Sequence, residues 1–369
     1  MTASPLPQRR LIGKWDEHPL GVGCWPVGGL ASNLNLPMGW APVEENAAVD
    51  GLLKAHAMGA TVFDTADVYG LGHSQRLLKK MLAQVPRDSV RITSKIGYFR
   101  GTGPNAYTPL NVHHQVQQSL ENLGTDYLDV LSLHNTDFGP RDDYLEDALE
   151  TLRALRRLGT IKAIGMRGPH RLASDRYSLD QADRENKRDR FVYLFDRVKP
   201  EVVFTRYSPI TPDVTLGEED EDILSFAARR GVATVIYKPL VHGLLTGKYD
   251  PDAPPVFGAG DIRSRKSWFT QPALAVIHRG LQPLRERFGP SAQDLAGVAL
   301  RYCLQRCPDS IVLTGFTSPD QIEANYAAVN EPLTPQDSAF ARETYEALRT
   351  ELDGLGEFVL DETSAKVDL

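Results

Sequence analysis

The sequence predicts an α/β fold, a single (β/α)8 TIM barrel with an N-terminal hairpin and a long loop after strand 7, and three observations carry that expectation. Short β-branched and aromatic runs alternate with amphipathic helical stretches from about residue 20 to residue 329, without an internal linker. Three successive runs end on a polar side chain, Asp64, Lys95 and His134, where a barrel of this kind carries its functional groups. A doubly wound sheet would place a Gly-rich phosphate turn after its first strand, and Gly21-Val-Gly-Cys-Trp25 has no third glycine opening a helix. One domain is expected over 1–369, with the barrel at about 10–330 and a C-terminal helix and tail at 331–369.

Residues 9–14 and 18–24 read as a short hairpin turned at Trp15-Asp-Glu17, placed to plug the barrel's bottom, with Leu20-Gly-Val-Gly-Cys-Trp25 as the first strand. Helical periodicity runs over 43–58, and the strand Thr61-Val-Phe-Asp64 follows the helix-stopping Gly59. Gly70 and Gly72 loosen the backbone before a helix at 74–84. Arg91-Ile-Thr-Ser-Lys95 is the third strand, stopped by Gly97, and 110–123 the third helix. Tyr127-Leu-Asp-Val-Leu-Ser-Leu-His134 is nearly continuously apolar, as a strand buried on both faces should be. A helix at 145–158 is closed by Gly159, and a strand at 162–166 follows.

The alternation then breaks. Residues 173–190 are too rich in Asp, Glu, Lys and Arg to bury and are expected as a solvated loop or exposed helix. A helix at 191–198, a strand at 202–207, a helix at 220–230 and a strand at 232–237 resume the pattern. Residues 242–271 form a long excursion over the barrel's top. Helices at 272–288 and 292–305, a strand at 310–313 and a helix at 318–329 complete the barrel. A last helix spans 338–352, and the acidic tail folds over the mouth or frays.

Composition narrows the function classes. The chain has 369 residues, 41% of them hydrophobic, enough for a sizeable core. A formal net charge of −7 and a pI near 5.8 argue against nucleic acid as a partner. Cys24, Cys303 and Cys307 read as reduced thiols. The first ten residues lack the apolar centre of a signal peptide and no run is long enough to span a membrane, so a cytoplasmic location is the default and no membrane partner is expected.

With the strands so placed, Asp64, Lys95 and His134 sit at successive strand ends and Tyr69 lies in the loop just past Asp64. A lysine beside a tyrosine stabilises the phenolate and lowers its pKa, while an aspartate keeps the ammonium charged and oriented. That arrangement makes Tyr69 an acid usable near neutral pH, and His134 a donor to a carbonyl oxygen on which charge develops. Singly, each has a plain structural reading as a rim residue or a satisfied core histidine. Four convergent placements outweigh it.

Several motifs together resemble the aldo-keto reductase superfamily over roughly residues 10 to 330: Phe63-Asp-Thr-Ala-Asp-Val-Tyr-Gly70, Thr93-Ser-Lys95, Leu128-Asp-Val-Leu-Ser-Leu-His134, Gly159-Thr-Ile-Lys-Ala-Ile-Gly165, Pro239-Leu-Val-His-Gly-Leu-Leu-Thr-Gly-Lys-Tyr249 and Gly315-Phe-Thr-Ser-Pro-Asp-Gln-Ile-Glu-Ala-Asn325. The resemblance implies an oxidoreductase interconverting a carbonyl and an alcohol, with Asp64, Tyr69, Lys95 and His134 as catalytic tetrad and Tyr69 as general acid/base. It implies a nicotinamide dinucleotide, NADP or NAD with NADPH put first, bound without a Rossmann fold. Leu245-Thr-Gly-Lys-Tyr249 and Asp261-Ile-Arg-Ser-Arg265 look like the long-loop members that act on sugars or small aldehydes. By position, Tyr237 stacks on the nicotinamide, Lys238 and Lys248 lie near the pyrophosphate, and Trp25 and Leu240 line the cofactor cleft. The helix opened by Ser318 aims its amides at a phosphate, aided by Gly315 and Thr317, with Gln321 and Asn325 facing the adenosine.

Departures from the family pattern matter too. The Ser-Asn pair and the Gln that grip the nicotinamide amide are replaced by Arg167, Gly168 and Phe204, and Ala324 stands in place of a Glu near the adenine. Arg167 and Arg206, both at strand ends, are candidates for an anionic substrate group or for pairing with neighbouring acids. The lost grip also leaves a redox-neutral lyase, dehydratase or epimerase, or a non-catalytic binding subunit, as alternatives. His113-His114 point in different directions on a helix, so no metal is expected. Trp25 reads as pocket wall or core. Oligomeric state is not legible.

Overall fold

Eight parallel strands close into a barrel: β1 (Leu20–Gly23), β2 (Val62–Asp64), β3 (Arg91–Ile96), β4 (Leu128–Leu133), β5 (Ile161–Arg167), β6 (Val202–Arg206), β7 (Ala233–Tyr237) and β8 (Ser310–Gly315). Each pairs with its neighbour in sequence, and β8 returns to β1 with Thr314 opposite Val22. This computed structural model describes residues 9–12, 15–33, 36–169, 187–211, 215–216 and 221–355. Among them, no helix is long and apolar enough to cross a membrane.

Alternation along the strands fills the barrel's interior. Val62, Val130, Ala163, Val202, Val235 and Ile311 pack together with Phe204 and Leu313 above them, all buried. Leu11 joins this cluster from below at 0% exposure. It is carried there by the N-terminal hairpin, which pairs Arg9–Arg10 with Asp16–Glu17. The second arm therefore ends before residue 18 and does not run over 18–24, because 20–23 must pair with β2 and β8. Arg91, at the start of β3, ties the hairpin down through Glu17 at 3.0 Å.

The helices are α1 (Glu45–Ala57), α2 (His73–Leu82), α3 (Pro109–Leu123), α4 (Leu145–Arg157), α5 (Lys187–Val198), α6 (Ile223–Arg229), α7 (Gln271–Gly280), α8 (Gln282–Phe288), α9 (Ala292–Arg306), α10 (Pro319–Ala328) and α11 (Pro335–Asp353). In α1 the buried residues Ala48, Val49, Gly51, Leu52 and Ala55 form one stripe. A reciprocal capping box between Ser291 and Asp294 starts α9. The expected helix at 272–288 is two, because Pro283 near the start of α8 has no N–H for the ladder. β8 runs two residues beyond the expected 310–313, to Gly315.

Two placements fall only partly within view. Of the polar stretch 173–190, residues 187–190 belong to α5, and the rest lies outside the described residues. The acidic tail beyond Leu355 lies outside them too. The excursion after β7 is present as 3₁₀ turns (Val241–Thr246, Ile262–Arg265 and Ser267–Phe269), and with α7, α8, α9 and α11 it builds a second apolar core around Leu245, Trp268, Leu281 and Tyr345. Its Asp261 bridges to Gly39 of the loop after β1, which roofs one side of the barrel mouth.

Candidate active site

Asp64, Tyr69, Lys95 and His134 face one cavity of about 720 Å³ at the mouth formed by the strands' C-terminal ends. Lys95 Nζ donates to Asp64 Oδ1 at 2.5 Å, to Asp64 Oδ2 at 2.6 Å and to the Thr65 carbonyl at 2.8 Å. Thr93 Oγ1 donates to Asp64 Oδ1 at 2.7 Å. Tyr69 lies over this pair, its ring centre 5.0 Å from the ammonium, and meets the His134 ring edge-on at 5.9 Å between centroids. The structure thus brings the four side chains together.

Close backbone packing positions Tyr69. Gly70 has φ +60, and a Cβ there would fall 1.7 Å from the Gly28 carbonyl oxygen. The Tyr69 loop can therefore lie directly on the loop carrying Trp25, whose ring stacks on Tyr69 at 5.9 Å. Trp25 Nε1 is fixed by the Met38 carbonyl at 2.9 Å.

One electrostatic expectation is overturned. The Tyr69 phenol is pushed well above its ordinary range, first by burial and then by the Asp64 charge, with Arg167 pulling it back. Lys95 fails to lower it because the ammonium directs its donors at Asp64 and Thr65 and forms a locally neutral pair. Burial also lowers the Lys95 pKa, against the pull of Asp64. Tyr69 is thus held protonated, the form a proton donor needs.

The same cavity runs outward from the four residues. Tyr237 and Phe204 form its wall at the ends of β7 and β6, and Lys238, Leu240 and Lys248 continue it along the loop after β7. That loop is strained: Lys238, Val241 and His242 have φ +63, +48 and +57. The Lys238 ammonium lies 5.2 Å above the Trp25 ring. Lys248 lies beside Arg263, and partial desolvation and then the Arg263 charge lower its pKa; it makes no salt bridge among the described residues.

The far end is built by Gly315, Thr317, Gln321 and Asn325. Gln321 Oε1 accepts from the Thr317 amide at 2.9 Å and from Thr317 Oγ1 at 3.3 Å, occupying the acceptor position at the start of α10. Asn325 lines the cavity with its amide held by Thr314 Oγ1 at 2.9 Å. Arg167 also lines it, donating to the Tyr237 hydroxyl at 2.9 Å and the Tyr98 hydroxyl at 3.5 Å. Arg206 does not line it, because Phe204 and Tyr237 make the wall at that register; the anion-binding reading of Arg206 is set aside.

Among the wall residues that escaped the sequence reading are Trp40, Tyr98, Ser132 and His242. His242 stacks on Trp40 at 5.3 Å, and Tyr98 packs edge-on against His134 at 4.7 Å. Tyr98 was within reach, as an aromatic three residues past a strand-end lysine. The Trp40–His242 contact joins distant loops and leaves no local signal.

A closed barrel with a polar cluster at its strand ends defines a β/α-barrel enzyme. Comparison with known proteins makes the class specific. The chain belongs to the Aldo/keto reductase family, whose profile matches residues 19–346. The family's members are oxidoreductases of carbonyls and alcohols that use nicotinamide cofactors and act on small-molecule carbonyls. The chain is 26% identical over 344 residues to the NADH-specific methylglyoxal reductase of Escherichia coli (strain K12), covering 89% of this chain and 95% of that protein. It is 28% identical over 317 residues to the L-galactose dehydrogenase of Arabidopsis thaliana, covering 85% and 84%. Its fold is similar to that of a glycerol dehydrogenase from Gluconobacter oxydans, with TM-score 0.68 and 22% identity over 92% of this chain and 95% of that one.

Proposed function

We propose that the protein is an NAD(P)H-dependent reductase of a small aldehyde, ketone or keto-sugar, with Tyr69 as the proton donor. The observation that carries this reading is the single cavity joining the Asp64–Lys95–Tyr69–His134 cluster to a cationic, helix-terminal end. That end fits the cofactor's phosphates on two grounds. Lys248 lines it without an ion-paired carboxylate among the described residues, and Gln321 Oε1 already stands where a phosphate oxygen would accept from Thr317. Lys238, Lys248, Gly315 and Thr317 would hold the phosphates, and Tyr237 the nicotinamide ring.

A bound reduced cofactor supplies the hydride. Tyr69, held protonated by burial and by Asp64, donates its proton to the carbonyl oxygen, and in the reverse direction takes it back. His134 donates a hydrogen bond to the same oxygen and stabilises the charge that develops there. Lys95 and Asp64 act from beneath. Their pairing keeps the ammonium protonated in a site where burial opposes it.

Titration with NADPH and with NADH, followed by quenching of protein fluorescence, tests the reading. Quenching by at least one is expected, and none at millimolar cofactor would refute it. Tyr69→Phe should abolish carbonyl reduction while cofactor still binds; undiminished turnover would show that the proton comes from elsewhere. Arg167, hydrogen-bonded to Tyr237 where the family grips the nicotinamide amide, favours a second reading in which the proton relay works without hydride transfer. That reading requires turnover in the absence of added cofactor.

A further inference from the structure

The floor of the cavity holds a polar group that the proton relay does not use. Ser132 lies on β4 two residues before His134, and Val130, two residues earlier still, belongs to the barrel's interior cluster. By strand alternation the three side chains therefore turn inward together. Ser132 lines the cavity at 1% exposure, opposite Lys95 of β3 on one side and Gly165 of β5 on the other. Its hydroxyl has no hydrogen-bond partner within the protein. An unpartnered buried hydroxyl costs free energy unless something that enters the cavity bonds it.

The neighbours of Ser132 show what kind of group that would be. Lys95, across the ladder, gives its ammonium hydrogens to the two Asp64 oxygens and the Thr65 carbonyl, so it is already neutralised and committed. On the other side, a Cβ on Gly165 would come 3.1 Å from the Phe204 ring and 3.2 Å from Ser132 Cβ. With only hydrogen there, the Phe204 ring leans in beside the serine and the surroundings are apolar. A neutral group that both donates and accepts matches a serine in such a place, whereas a carboxylate would meet no unspent charge. Barrel order assigns the group to the substrate. β4 stands across from β8 and three strands from β7, and the ends of those two strands carry the wall given above to the cofactor.

From these we infer that Ser132 bonds a hydroxyl on the carbon beside the substrate's carbonyl, so that it is the residue separating an α-hydroxy aldehyde or ketone from its deoxy analogue. The inference rests on the carbonyl-reductase reading above for the reaction, though not for the hydroxyl subsite. Two residues of strand put Ser132 about 6.6 Å below His134, an interval that a carbonyl oxygen and a neighbouring hydroxyl span with a hydrogen bond at each end. The serine oxygen needs only a turn about χ1 to follow the bound group.

The test pairs hydroxyacetone with butanone and glycolaldehyde with propanal, each pair exchanging a hydroxyl for a methyl group. Turnover is measured as kcat/KM with NADPH or NADH, and binding by saturation-transfer NMR with no reduced cofactor present. Because the hydroxyl also activates the carbonyl, the deciding quantity is the change in the hydroxy-to-deoxy ratio between wild type and Ser132→Ala. That ratio should fall by about tenfold for at least one pair, the size of one hydrogen bond to a group otherwise left unpaired. Ser132→Ala removes an unpaired hydroxyl, so its urea midpoint should equal or exceed that of wild type. A ratio unchanged in both pairs would overturn the inference, and so would a lowered midpoint, which would give the hydroxyl a partner within the fold. A weakened Kd for NADPH or NADH with the ratio unchanged would overturn it too, by giving the serine to the cofactor. If nothing is reduced, but hydroxyacetone binds better than butanone and the difference vanishes in Ser132→Ala, the reductase reading falls and the hydroxyl subsite stands.

Discussion

Lys95 and Asp64 are each almost fully buried, at 6% and 4% exposure, so the cost of separating them can be worked from their contacts. Lys95→Met leaves a buried carboxylate with Thr93 Oγ1, at 2.7 Å, as its remaining side-chain donor. Asp64→Asn leaves an ammonium whose remaining protein acceptors are the Thr65 carbonyl, at 2.8 Å, and a neutral amide oxygen. Each single change strands a charge and should cost about 3–5 kcal/mol. The double variant strands none, so its cost should fall short of the sum by about 2 kcal/mol or more. Urea unfolding of the four proteins in one buffer at pH 7 measures this by linear extrapolation. Because Asp64 raises the Tyr69 pKa, Asp64→Asn should also lower it, read from phenolate absorbance. Single costs that add to the double within about 0.5 kcal/mol would refute the view that the pair is one electrostatic unit.

Other outcomes follow from particular contacts. Gly51 lies inside α1, and a Cβ there would come within 2.3 Å of the Phe316 ring, just before the Thr317 end of the cavity. Gly51→Ala gains helix propensity but should still destabilise by about 1–3 kcal/mol and raise the KM for cofactor; a stabilised variant would contradict the packing. Asp67 is buried, and burial pushes its pKa from 3.8 to about 8 against the pull of the Val68 amide and Lys95. The folded state therefore holds a proton that the unfolded state releases above pH 3.8, so this group's contribution to stability falls as pH rises from there to about 8. Between pH 4 and pH 8 the stability of Asp67→Asn relative to wild type should improve by about 5 kcal/mol, and a pH-independent difference in urea unfolding would contradict this. Lys248→Met should weaken NADPH binding about tenfold and flatten its salt dependence, and an unchanged Kd would remove Lys248 from the phosphate site.

The barrel was legible because its strands end on functional groups. Thr61-Val-Phe-Asp64 and Arg91-Ile-Thr-Ser-Lys95 carry strand propensity and chemistry within five residues, and local pattern suffices for both. The split between α7 and α8 was also readable, since Pro283 cannot continue a ladder, but the apolar periodicity on either side masked it. What local pattern does not contain is the partner of a donor. The phenol's acidity depends on whether Lys95 gives its hydrogens to Tyr69 or to Asp64, a choice made by three-dimensional placement. The same holds for Arg167 and Arg206, alike at two strand ends and separated only by which one the cavity reaches.

The hairpin that carries Leu11 seals the barrel at the end opposite the cavity, with Arg9 near Asp309, just ahead of β8. Residue 9 thus enters the fold on the side away from the opening through which small molecules pass. Anchoring the protein by that end should leave the entrance facing bulk solution.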